Sequence, residues 1–206
     1  MNNDPRSIVL ATGNAGKVRE LRELFREVQL ELKSLQDFIG IVDVEETGAT
    51  FEENAILKAR GFALQTSHMA LADDSGLEVE ALANEPGVRS ARFAGADTGY
   101  DVKIPKLLGM INAAGDRNRR ARFVCVMAVA DRSGEVLRTV RGECWGTIAD
   151  KPKGWGGFGY DPIFIPDGYD QTFGELSEDV KQQVSHRARA AELLIRYLLD
   201  FTRSLT

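Results

Sequence analysis

Residues 6–11, RSIVLA, form a short run of β-branched and aliphatic side chains, the pattern of a buried strand. The pattern then changes period. In KVRELRELFREV, Val18, Leu21, Leu24, Phe25 and Val28 recur at helical spacing, with Arg and Glu between them, which predicts an amphipathic helix. LELKSL reads as a second strand. TFEENAILKARGFAL opens with Thr50 and has Glu53 three residues later, a capping-box spacing that predicts a helix start. MALAD and LEVEAL are both strand-like, the second by strict alternation, with Asp73, Asp74, Ser75 and Gly76 between them. IPKLLGMI predicts a helix with Pro105 in its first turn. ARFVCVMAVA, DRSG and EVLRTVRGECWGTIA predict a β-hairpin with long arms. A glycine-rich loop and PIFIP follow. SEDVKQQVSHRARAAELLIRYLLDF divides into a short helix and a longer one restarting at Ser185.

Strand–helix–strand at the front and a hairpin later predict a mixed sheet flanked by helices, the α/β class. No repeat, low-complexity tract or linker-like run interrupts residues 1–206, so a single domain is expected. With 43% hydrophobic and 28% charged residues, the chain has the composition of a globular protein able to bury a full core. The formal net charge of −5 argues against general affinity for nucleic acid or an anionic membrane, both of which favour basic surfaces. The basic run RNRRAR (117–122) reads as a solvated hairpin start. MNNDPRSIVLATGN at the N-terminus has no apolar stretch of signal-peptide length, and no segment approaches the ~20 apolar residues of a membrane span. The two cysteines, Cys125 and Cys144, lack a CxxC spacing, and Cys125 lies within the apolar FVCVMAVA. A cytoplasmic location is expected.

Four stretches carry candidate chemistry, each beside a plainer reading. ATGNAGK follows a strand and opens a helix, where backbone N–H groups and the helix dipole favour an anion. It is not a P-loop, since only two residues separate Gly13 from Gly16 and Val18 follows Lys17. It is either a phosphate cradle or an ordinary turn capped by Asn14. Asp73-Asp74-Ser75-Gly76 is either a turn or the lip of a Mg²⁺ site, for Mg²⁺ takes one or two carboxylates plus phosphate oxygens and water. Side chains alternate faces along a strand, so the two aspartates cannot serve one surface. Glu45 and Glu46 in DVEETG are further metal candidates or part of a solvated acidic loop. GWGGFGYDP sets Trp155, Phe158 and Tyr160 among four glycines, which suits either stacking on a nucleobase or aromatics packed into the core. In SHRARA, Ser185 caps a helix whose first turn holds His186 and Arg187, where the dipole disfavours cations unless they serve an acceptor. Lys181 lies one turn earlier.

Together and in this order, TGNAGKVREL, EETGATFEENAILKA, ADDSGLEV, PGVRSARFAG, ARFVCVMAV, GGFGYDPIF and SHRARA resemble the inosine triphosphate pyrophosphatase family over nearly the whole chain. The resemblance implies Mg²⁺-dependent release of pyrophosphate from deaminated purine nucleoside triphosphates (ITP, dITP, XTP). It also implies an elongated mixed sheet, two lobes with an active-site cleft between them, and a homodimer. By position, Thr12, Gly13, Asn14, Ala15, Gly16 and Lys17 would hold the triphosphate. Glu45 would help place the metal, Asp74 would be the catalytic carboxylate and a metal ligand, and Ser75 would touch substrate. Lys58 and Lys181 would face the phosphates. Phe158, Gly159, Tyr160 and Asp161, with His186 and Arg187, would hold the base. Asp73, on the other strand face, would anchor backbone or a neighbouring basic residue. Two features depart from the family pattern: Pro105 in YDVKIPKLL, and Trp155 where a small or polar residue is more usual.

The expected chemistry follows from charge. A triphosphate repels a bare carboxylate, so Asp74 beside it makes sense with a metal between them, orienting water at the α-phosphorus. Hypoxanthine offers O6 as acceptor and N1–H as donor, whereas adenine reverses both. A pocket with Asp161 facing N1–H and cationic or backbone donors facing O6 would therefore leave groups unpaired against ATP. Two other readings are a pyrophosphatase for modified pyrimidine triphosphates and a non-catalytic nucleotide sensor.

Overall fold

The computed structural model describes residues 7–95, 97–115 and 118–204. Arg6, expected to begin the first strand, and Arg117 of the basic run lie outside them. The elements are β1 (Ser7–Leu10), α1 (Ala15–Leu24), β2 (Glu31–Ser34), α2 (Phe51–Thr66), β3 (Met69–Val79), β4 (Glu85–Pro86), α3 (Tyr100–Ala113), β5 (Arg120–Ala130), β6 (Val136–Ile148), β7 (Phe164–Pro166), α4 (Glu178–Val184) and α5 (His186–Ser204). The strand order is β2-β1-β3-β5-β6-β7, with β4 paired to β3. β1 runs parallel to β2 and to β3, whereas β3–β4 and β6–β7 are antiparallel. This is the mixed α/β architecture expected from the sequence.

The chain divides into two compact units, each with its own core. The first comprises Met1–Asp74, Cys125–Gly142 and Arg187–Thr206. Its core gathers Ile8 and Leu10 of β1, Leu21 of α1, Leu71 of β3, Met127 of β5 and Leu194 and Leu198 of α5, with Phe25 beside them. The apolar stripe of α5 recurs at three- and four-residue steps, Ala190, Ala191, Leu194, Leu198, so that one face is buried and the other stays charged. The second unit comprises Ser75–Val124 and Glu143–His186. Its core is more aromatic. Phe164 lies 4.6 Å from Phe123 and 5.5 Å from Phe173 by ring centroids, with Leu77, Val79, Leu107 and Ile111 around them.

Three local expectations are corrected. MALAD and LEVEAL are not separated by a turn: β3 continues through Asp73, Asp74, Ser75 and Gly76. Hydrogen bonding along the strand and burial of both carboxylates override the turn tendency of Asp-Ser-Gly. Pro105 is not in a first turn, because α3 begins at Tyr100 behind Gly99, and the proline is the sixth helical residue. It lies on the exposed face, where the carbonyl deprived of its N–H partner can bond to water. Finally, α1 ends at Leu24 rather than running to Val28. The amide of Phe25 closes on the Leu21 carbonyl, and Phe25 and Val28 are buried from the irregular segment that follows.

Candidate active site

In the first unit, β1 delivers the chain to the TGNAGK turn. The Asn14 carboxamide oxygen accepts from the Lys17 amide at 3.1 Å and caps α1, and the Thr12 hydroxyl oxygen accepts from the Asn14 amide at 3.2 Å. Gly13, Asn14 and Ala15 are exposed, Thr12, Gly16 and Lys17 half-buried. A side chain at Gly13 would meet only open space, so the turn leaves room beside the start of the helix. Lys17 returns to β3, its ammonium 3.1 Å from Asp73 Oδ2.

The two aspartates have different partners because the pleat sends them to opposite faces. Asp73 is fully buried and paired with Lys17 and with Arg187, whose Nη2 is 3.1 Å from Oδ2. Arg187 donates its other terminal nitrogen to Glu20 of α1. Burial alone would raise the Asp73 pKa, but Lys17, Arg187 and Lys58 outweigh it and hold the carboxyl well below the usual carboxylate range. The Cys125 thiol, 3.9 Å from Asp73 Oδ2, is pushed up to about 12 by burial and by that carboxylate, so it behaves as an inert core group.

Asp74 faces α2. Thr50 and Glu53 form the expected capping box, which fixes the start of that helix and sets Asn54 and Lys58 one turn apart on its buried face. Asn54 Nδ2 donates to Asp74 Oδ2 at 3.2 Å, and its own oxygen accepts from the Gly48 amide at 2.8 Å. Lys58 Nζ stands 3.2 Å from Asp74 Oδ1 and 2.7 Å from Glu46 Oε1. Burial pushes the Asp74 pKa up, Glu46 adds to that, and Lys58 and Lys17 pull against it, leaving a carboxyl more basic than usual. Burial opposes the charge on Lys58, but Asp74, Asp73 and Glu46 more than offset it and raise its pKa.

The Lys58 ammonium between two carboxylates marks a place where positive charge is stabilised. Asp74 and Glu46 are also the hard oxygen donors that Mg²⁺ takes, one or two at a time, and so the residues present fit that ion. Glu45, the expected ligand, is exposed, and it is its neighbour Glu46 that reaches Lys58. Among the described residues no three His, Cys, Asp or Glu side chains gather as a closed metal centre.

In the second unit, the GWGGFGYDP loop is anchored by backbone bonds from Lys153 to the Pro162 carbonyl and from Gly156 to the Gly174 carbonyl, at 2.8 and 2.9 Å. Asp161 is buried. Its Oδ2 accepts from the Phe158 amide at 2.7 Å and pairs with Lys181 Nζ at 2.6 Å. The same ammonium lies 4.7 Å from the Phe158 ring centroid. Lys181, expected toward phosphate, is paired with Asp161. Tyr160 is buried, its hydroxyl donating to the Ser90 carbonyl at 3.3 Å and its ring edge-on to Tyr100 at 5.1 Å. Gly159 carries a positive φ of 70° beside it. His186 is stacked on Phe123 at 4.7 Å. Ser75 is half-buried on β3, at the start of this unit.

The structure therefore assembles Lys17, Lys58 and Asp74 in one unit and Phe158, Asp161 and Lys181 in the other. It pairs the Arg187 guanidinium, expected at the base, with Asp73 and Glu20, two buried carboxylates. Sequence reasoning missed Asn54, Glu20 and Phe123. For Asn54 a signal existed, since it lies four residues before Lys58 on a capped helix. For Glu20, nothing in an Arg/Glu-rich helix says which carboxylate turns inward.

Comparison with known proteins finds relatives over nearly the whole chain. The model of the Ham1 family matches residues 8–197. The chain is 49% identical over 190 residues to a dITP/XTP pyrophosphatase of Bacillus anthracis, covering 92% of this chain and 94% of that one. It is 46% identical over 191 residues to the dITP/XTP pyrophosphatase of Desulforamulus reducens, covering 93% and 94%. Among solved structures, a HAM1 protein from Coxiella burnetii is 42% identical with a TM-score of 0.87, covering 94% of this chain and 98% of that one. The Staphylococcus aureus Ham1 protein is likewise 42% identical, with a TM-score of 0.82 and coverage of 93% and 97%.

Proposed function

The chain belongs to the Ham1 family, and on that premise we propose a Mg²⁺-dependent reaction assigned residue by residue. The chain is a nucleoside triphosphate pyrophosphatase that hydrolyses deaminated purine nucleoside triphosphates to the monophosphate and pyrophosphate: ITP and water give IMP and pyrophosphate. The observation that carries the assignment is Asp74, a buried carboxylate made more basic than usual and held by Lys58 and Asn54 on the strand face opposite Asp73.

Mg²⁺, held by Asp74 with Glu45 or Glu46, would lower the pKa of bound water and absorb charge on the phosphates. Asp74 is the proton acceptor for the attacking water, positioned by Asn54 and Lys58. The N-terminus of α1, from Thr12 to Lys17, takes the triphosphate on backbone N–H groups, with the Lys17 and Lys58 ammonium groups neutralising the charge that builds on the leaving pyrophosphate. Asp73 anchors Lys17 and Arg187, keeping the strand and helix in place without touching substrate. On the base side, Asp161 accepts from N1–H and Lys181 donates to O6, with Phe158 as a stacking face and Tyr160, Gly159 and His186 shaping the pocket. Adenine, with donor and acceptor reversed, would set its N1 lone pair against the Asp161 carboxylate and its amino group against the Lys181 ammonium. Ser75 contacts the sugar-phosphate.

Residues 1–206 act as a single nucleoside triphosphate pyrophosphatase domain, in a cytoplasmic homodimer. No helix among the described residues is long and apolar enough to cross a membrane. The test is pyrophosphate release from ITP, dITP, XTP, ATP, GTP and dUTP, with and without Mg²⁺, beside Asp74→Asn. Metal-dependent turnover of ITP, dITP and XTP is expected, falling by at least about 10²-fold in the variant. Equal turnover of ATP and ITP would sink the base-reading scheme. A preference for dUTP would indicate a pyrimidine enzyme, and ITP binding without release a sensor.

A further inference from the structure

Trp155 is fully exposed, at 102% of the reference accessibility, in an otherwise well-anchored loop. A singly exposed apolar side chain needs no explanation in itself; what marks Trp155 is its place on the loop that carries Phe158 and Asp161. The neighbouring backbone is not loose. Gly156 donates to the Gly174 carbonyl and Lys153 to the Pro162 carbonyl, and the Phe158 amide donates to Asp161. Gly154 and Gly157 have φ values of 75° and 69°, and a Cβ on either would lie 2.0 Å from Gly174 O and Asp161 Oδ2 respectively. The loop is thus built to a shape that glycine alone permits, and that shape holds an indole out from the surface three residues before Phe158.

We propose that Trp155 is a specificity-determining residue that closes over the purine base, forming with Phe158 an aromatic clamp. This rests on the reading that Asp161 and Lys181 receive the base edge. Three residues of chain tie the Trp155 Cα to within about 11 Å of the Phe158 Cα. Two rings sandwiching a third have centroids roughly 9–14 Å apart, twice the 4.5–7 Å of an aromatic pair, a separation that two long side chains can span from Cα atoms tied this closely. Lys181 already stands over one face of the Phe158 ring, which brings a donor to the base edge, and the clamp closes on the ring's other face. Stacking is tolerant of base identity, so Trp155 adds affinity for any purine ring that Asp161 and Lys181 admit, and it favours the wider purines over pyrimidines.

The experiment compares wild type, Trp155→Ala and Trp155→Phe on ITP, with inorganic tripolyphosphate as a competitive inhibitor that has no base. Trp155→Ala is expected to raise KM for ITP at least about fivefold, the low end of a stacking contribution, with kcat little changed. Trp155→Phe restores most of the loss, and inhibition by tripolyphosphate is the same in all three. The chain has two tryptophans. In a Trp145→Phe background the remaining Trp155 fluorescence is quenched, and shielded from iodide, when IMP is added. Unchanged KM in Trp155→Ala, equal weakening of tripolyphosphate, or an emission indifferent to IMP would overturn the proposal. A changed oligomeric state with KM unaltered would overturn it in favour of a subunit contact. If wild type releases no pyrophosphate from ITP, it is the reaction assignment that fails, and the IMP titration still decides the clamp.

Discussion

Asp73 and Asp74 are chemically identical neighbours whose proton affinities move in opposite directions. Asp73, ringed by Lys17, Arg187 and Lys58, stays ionised far into acid. Asp74, buried with Glu46 nearby and Lys58 as the main counterweight, holds its proton more tightly than a free carboxylate. A ¹³C-detected titration of the metal-free protein is expected to put the Asp74 midpoint above the ordinary value of about 3.9. Glu46→Gln removes a like charge and moves that midpoint down, whereas Lys58→Met removes the counter-charge and moves it up. A wild-type midpoint at or below the ordinary value would refute this account of the base. The DDSG motif was legible as chemistry from sequence, and alternation predicted that its two carboxylates diverge. A basic neighbour or backbone was expected for Asp73; that the neighbours are Lys17 and Arg187 was not legible, because they arrive from separate segments.

At the level of elements, α2 converts a cap into a catalytic geometry. The Thr50 and Glu53 box sets where the helix begins, and so determines that Asn54 and Lys58 fall on the face turned toward Asp74. Thr50→Ala removes the hydroxyl acceptor from the Glu53 amide and is expected to lower stability by about 1 kcal/mol, or about 2–4 °C in Tm for a chain of this size. Thermal denaturation followed by circular dichroism checks it, and an unaltered Tm would mean that the box is dispensable. The helices of this chain were readable because their apolar stripes and caps are local. α3 shows the limit of that reading. Pro105 suggests a helix start, yet Lys103, Ile104, Leu107, Leu108 and Ile111 make one buried face that carries the helix back to Tyr100. The proline is accommodated on the solvent side. Burial of the stripe outweighs one lost hydrogen bond.

For the whole molecule, the first unit's acid stability depends on the Glu20–Arg187–Asp73–Lys17 chain. Because the folded pKa of Asp73 is depressed, the unfolded chain binds more protons between the two pKa values, so stability rises with pH there. The contribution is fully present above about pH 4, the unfolded value, and is lost as pH falls through the folded one. Asp73→Asn is expected to destabilise the protein by about 3–5 kcal/mol at neutral pH, since it leaves a buried guanidinium and ammonium short of a carboxylate. It should also flatten the stability profile below about pH 4. Urea denaturation at pH 3, 5 and 7 measures both, and a variant with the wild-type profile would refute the role given to Asp73.

The sequence by itself determined the α/β class, the helix starts at Asn14, Thr50 and Ser185, the long hairpin and the set of chemically active stretches. Each of these is written in near-neighbour spacing, through hydrophobic period, capping residues and turn residues. Only the tertiary structure decided that β3 passes unbroken through its two aspartates, that Glu46 rather than Glu45 meets Lys58, and that Lys181 joins Asp161. It likewise decided that Arg187 is buried between Asp73 and Glu20. Those outcomes depend on which distant charges come within a few ångströms of one another in a poorly solvated interior. There the pairing of ions outweighs local preference, and no local pattern in the chain encodes the partner.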